Sequence, residues 1–78
     1  MTEREHRVLM FIVAAYQDGG PLPTLRAICA EMGWTSTNAA SEVLAKLTRL
    51  GALRRTVGTK SYGVNLEHGS VRELRRAS

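Results

Sequence analysis

The chain has 78 residues, 44% of them apolar and 23% charged, with a net charge of +4. That length allows one small domain, whose core seldom contributes more than about 3–5 kcal/mol of net stability, and it argues against an enzyme with a deep pocket. A lone cysteine, Cys29, excludes an internal disulfide and suits a reducing cytoplasm, and with no apolar run near ~20 residues and no signal-peptide pattern at Met1–His6, neither a membrane nor a secreted class is expected.

In chain order, Thr2-Glu3-Arg4-Glu5 reads as a capping box. It opens a first helix running to about Gln17, where Asp18-Gly19-Gly20-Pro21 ends the ladder. Leu22-Pro23 is an extended link. Thr24 is the next N-cap, followed by Leu25, Ile28, Cys29 and Met32 at helical spacing, with Gly33 as a left-handed stop. After Trp34, the cap formers Thr35, Ser36, Thr37 and Asn38 start a third helix that runs to Leu50. Its apolar stripe is Ala40, Val43, Leu44, Leu47 and Leu50, and Gly51 terminates it. Residues 53–57 and 62–66 read as strands around a turn at 58–61, with Tyr62, Val64 and Leu66 in period-2 alternation. Ser70-Val71-Arg72-Glu73 is a second capping box that starts a short helix with Val71 and Leu74 on one face.

Two helices joined by a short glycine-containing turn and followed by a hairpin make a winged helix-turn-helix. The predicted fold is therefore mainly α with a small β-hairpin: three helices and a two-stranded wing over residues 1–67, then a basic tail over 68–78. In such a unit the second helix of the pair enters the major groove by its N-terminal turn. That turn, residues 36–42, is rich in short polar side chains, and Asn38 has the geometry to bond adenine N6 and N7 together. The plain alternative is a cap cluster followed by small packing residues. Charge favours the first reading, because residues 1–45 carry a net −2 and residues 46–78 a net +6. A basic half is a face for a polyanion.

The stretch from Pro23 to Gly51, and above all Ser36-Thr37-Asn38-Ala39-Ala40-Ser41-Glu42, resembles the DNA-binding domain of LexA-type repressors, whose recognition turn reads S-P-N-A-A-E-E. The likeness runs from about Thr2 to Leu66. It implies a repressor of prokaryotic or phage type in which Ser36, Asn38, Ala39, Ser41 and Glu42 read bases. Thr37 stands where the family has proline. Ser41 stands where it has glutamate, which removes an acceptor suited to cytosine N4 and implies an altered operator. The resemblance also implies a β-rich domain with a self-cleaving Ser/Lys dyad and the main dimer interface. Taken as it stands, the sequence ends at Ser78 before such a domain, so self-cleavage is not expected of it.

Thr35, Thr37, Lys46, Arg54, Arg55, Thr59, Lys60 and Ser61 are the expected contacts to the DNA backbone, from the recognition helix and the wing. A homodimer is a further expectation, since specific sites usually need two half-sites. Val8 to Tyr16 is a run of nine apolar residues, more than a one-sided helix needs. With Val8, Leu9, Phe11, Ile12, Ala15 and Tyr16 assigned to the core, Met10, Val13 and Ala14 are left over. Either the tail helix folds back over Met10 and Val13, or Met10, Val13, Ala14, Val71 and Leu74 form a self-association surface. Cys29 reads as a small core filler and Trp34 as packing for the turn. His6 and His68 lack partners at metal-ligand spacing. No metal, cofactor or catalytic residue is expected. The expected function is a double-stranded DNA-binding repressor. The alternative is a winged-helix interaction module, an antirepressor or inhibitor, with a regulatory or acidic protein as partner.

Overall fold

Each helix starts where a side chain can satisfy its first free amides. In the computed structural model, which describes residues 1–55 and 62–76, the order is α1 (Glu3–Gln17), α2 (Leu25–Met32), α3 (Thr37–Arg49), β1 (Leu53–Arg55), β2 (Tyr62–Val64) and α4 (Gly69–Arg76). The Thr2 hydroxyl accepts the Glu5 amide at 3.2 Å, and the Glu5 carboxylate accepts the Thr2 amide at 3.0 Å. Thr24 caps α2 by accepting from the Ala27 amide at 3.1 Å. Ser36 caps α3 by accepting from Asn38 at 3.2 Å. Gly33 (φ 75°) and Gly51 (φ 89°) end α2 and α3 in the left-handed region that a side chain would strain.

The fourth helix starts differently from the sequence expectation. His68, not Ser70, is its cap: the imidazole Nδ1 accepts the Ser70 amide at 3.2 Å and the His68 carbonyl accepts the Arg72 amide at 2.9 Å. A turn at Asn65, whose carbonyl accepts the His68 amide at 3.2 Å, sets the ring in place. Ser70 therefore falls inside the first turn of the helix.

The core forms on α1, which packs against α2, α3, β2 and α4. Its buried residues are Glu5, Val8, Leu9, Ile12 and Val13, a stripe at i, i+3, i+4, i+7 and i+8. They join Ile28 and Cys29 of α2, Ala40, Val43 and Leu47 of α3, Ala52 and Leu53, and Val71 of α4 in one cluster. Of the two arrangements expected for the tail helix, it folds back on α1: Val13 (2% exposed) and Val71 (0%) join the core of the chain itself and are not open for self-association, while Met10 is left uncovered. Tyr16, assigned to the core by sequence, is exposed, as is Leu50 at the end of α3. The cause is α4, which lies against α1 and draws its buried stripe round to Val13. Leu74 is half-buried beside this core, whereas Met10 and Ala14 remain exposed.

The hairpin is antiparallel, pairing Leu53 with Val64, Arg54 with Gly63 and Arg55 with Tyr62. Its second strand ends at Val64, two residues before the expected end. Asn65 stops it by closing the base of the hairpin. Its amide donates to the Ala52 carbonyl at 3.0 Å and its side-chain NH2 to the Gly51 carbonyl at 2.7 Å. Its Oδ1 accepts from the Glu67 amide at 3.1 Å. The rest of the expected first strand and the turn at 58–61 lie outside the described residues.

Candidate nucleic-acid interface

The turn between α2 and α3 is held by its own backbone and by one sulfur. The Cys29 carbonyl accepts the amides of Gly33 and Trp34, the latter at 2.9 Å. The buried Cys29 thiol donates to the Ser36 carbonyl at 3.3 Å, which joins α2 to the cap of α3. Trp34 packs against the core, and the Arg4 guanidinium carbon lies 5.4 Å from the centre of its ring. The angle at which α3 leaves the turn is thus fixed by contacts on three elements.

One face of α3 carries Ala40, Val43 and Leu47 into the core. The opposite face takes no part in packing. Thr35, Ser36, Thr37, Asn38, Ser41 and Glu42 are exposed and Ala39 is half-buried. Asn38, Glu42, Ala45 and Arg49 follow one another at i, i+4, i+7 and i+11, so they line one edge about 16 Å long. The first turn holds no acidic residue to occupy the amides of the helix N-terminus. Ala45 and Arg49 were missing from the sequence-based set. Counting helical spacing onward from Asn38 was the signal that could have found them.

Lys46 is exposed on α3, near enough to the start of α1 for its charge to act on Glu5. There the Glu5 carboxyl is held below its ordinary value of 4.5, chiefly by the Thr2 backbone amide that it accepts. Burial opposes this effect, and the positive charge of Lys46 reinforces it. Arg54 and Arg55 leave β1 on opposite faces of the hairpin. Arg54 is exposed and donates to Asn65 Oδ1 at 3.3 Å, while Arg55 is exposed across from Tyr62. The Tyr62 hydroxyl donates to the Pro23 carbonyl at 2.7 Å, tying the hairpin to the α1–α2 link. Burial pushes its pKa up from 10.0 to about 12. Thr59, Lys60 and Ser61 lie outside the described residues.

A helix-turn-helix whose second helix bares a polar edge, closed by an antiparallel hairpin, defines a winged helix-turn-helix protein. Residues 1–61 match the family described as LexA DNA binding domain. The chain belongs to that family. It is 38% identical over 77 residues to the LexA repressor of Acidovorax sp. (strain JS42), which covers 99% of this chain and 34% of that protein. It is 42% identical over 66 residues to the LexA repressor of Tolumonas auensis, covering 85% of this chain and 32% of that protein. The chain thus spans about a third of the length of the curated relatives it matches.

Proposed function

We propose that this chain is a sequence-specific regulator that binds double-stranded DNA, places α3 in the major groove and represses transcription. The observation that carries this reading is the bare polar edge of α3, on a helix whose position is fixed by the turn before it. Asn38 bonds adenine bidentately, and Ser36, Ala39, Ser41 and Glu42 complete the base-reading set. Ser36 holds its own helix start at the same time. Thr35, Thr37, Lys46, Arg54, Arg55, Thr59, Lys60 and Ser61 meet phosphates, and Arg49 joins them from the far end of α3. The repressor role rests on relatives that are named LexA repressors. The protein works in the cytoplasm as a binding protein and not as an enzyme.

A mobility shift on mixed-sequence DNA over a range of salt concentrations tests this proposal. Binding should be firm at low salt and fall linearly in log–log form as counterions compete. Arg49→Ala should lower that slope by about one unit. No shift at low salt would overturn the reading in favour of a protein-interaction module. Selection of bound sequences from a random pool then reports the operator and the number of half-sites.

A further inference from the structure

An open groove of about 260 Å³ runs between α1 and α2, lined by Arg7, Met10, Phe11, Glu31 and Met32. Its floor is apolar: Met10 is 47% exposed, and Phe11 and Met32 are half-buried against the core. Opposite charges stand on its two helices, Arg7 on α1 and Glu31 on α2. Both are exposed, and among the described residues neither makes an ion pair. No lining residue comes from α3 or the hairpin, so filling the groove leaves the α3 edge open.

We infer that this groove is where a second copy of the chain docks. An isologous two-fold contact places residue i against j and j against i. A surface with an apolar centre and one charge of each sign beside it is complementary to itself under that operation. Met10 of each copy fills the groove of the other, and Arg7 of each meets Glu31 of the other. Methionine suits this position because its unbranched chain adapts to an irregular apolar surface. A stable dimer needs about 800 Å² from each copy, which is most of one side of a molecule measuring 31 × 29 × 25 Å. Reaching that area takes the exposed flanks of α1 and α2 as well as the groove, along an α1 of 15 residues that is about 22 Å long at 1.5 Å per residue. The inference relocates the self-association surface expected from sequence. Val13 and Val71 leave it for the core, Met10 stays, and Phe11 and Met32 join it.

Sedimentation of the free protein tests the inference without DNA, so its outcome is independent of the proposed DNA binding. The wild type should rise with concentration from 8.6 kDa toward twice that mass. Met10→Glu should remain monomeric, with an unchanged far-ultraviolet circular dichroism spectrum. Arg7→Glu and Glu31→Arg should each be monomeric alone, because each copy then faces like charges. An equimolar mixture of these two variants should dimerise, since both rim contacts become opposite again between unlike copies. A contact within one chain cannot produce that rescue. A wild type that stays monomeric, or one that dimerises while the mixture does not, overturns the inference.

Discussion

α1 and α3 are amphipathic helices of similar length, 15 and 13 residues, and their exposed sides differ in kind. Both bury an apolar stripe in the same cluster. The side that α3 turns to water carries Asn38, Ser41, Glu42 and Arg49, groups that water already satisfies. Stability therefore makes no demand on that edge, and its residues are free to be chosen for what they bind. The exposed side of α1 carries Met10 and Tyr16, where apolar surface meets solvent at a cost. One edge fits a polar ligand with hydrogen-bonding groups, and the other fits a protein surface.

The largest expected effect tests the buried side of the comparison. Ile12→Ala should lower unfolding free energy by about 2–5 kcal/mol in urea titration, since Ile12 is fully buried at the meeting of the helices. A loss below 1 kcal/mol would mean that α1 is not the common support. Asn38→Ala tests the exposed side of α3. It should cost about 1–3 kcal/mol of binding to the selected operator and little on random DNA, with stability unchanged within about 0.5 kcal/mol. Equal losses on both DNAs would remove base reading from Asn38.

Tyr62→Phe addresses the bond between hairpin and link, and should cost about 0.5–1.5 kcal/mol of stability. Because the folded-state pKa of Tyr62 is raised to about 12, its contribution is complete below pH 10 and fades as pH rises from 10 through 12. Melting temperatures recorded across that range should fall less steeply for the phenylalanine variant. Glu5→Gln gives the smallest expected effect, and it has the opposite sign in pH. The Glu5 pKa is depressed in the folded state, so its contribution is present above 4.5 and is lost as pH falls through the lower folded value. Acidification should therefore destabilise the wild type more than the glutamine variant. Parallel acid profiles would show that the Thr2–Glu5 box contributes no charge-dependent stability.

The three helices that carry the site were legible because their signals are local. Thr2, Thr24 and Ser36 each cap within three residues of themselves, and Gly33 and Gly51 take the left-handed conformation that commonly follows a helix end. The exposed polar start of α3 was legible for the same reason, since residues 36–42 are contiguous. Arg49 was overlooked because it stands eleven residues from Asn38, on a shared edge that only the helix pitch reveals. His68 was read as a bystander, since a ring used as a helix cap has no common sequence signature and depends on the Asn65 turn before it.

By itself, then, the sequence determined the order of the elements, the starts of α1, α2 and α3, the polar first turn of α3 and the family that the chain resembles. The tertiary structure decided which side of α1 is inside. Nine consecutive apolar residues allow more than one stripe, and the choice depends on α4, a segment more than fifty residues away. Gln17 donates to the Arg75 carbonyl at 3.4 Å across 58 positions, marking where that segment lands. Burial is a property of the assembled elements, not of a window of sequence. Once α4 covers Val13, the large apolar side chains left exposed on α1 are Met10, in its groove, and Tyr16.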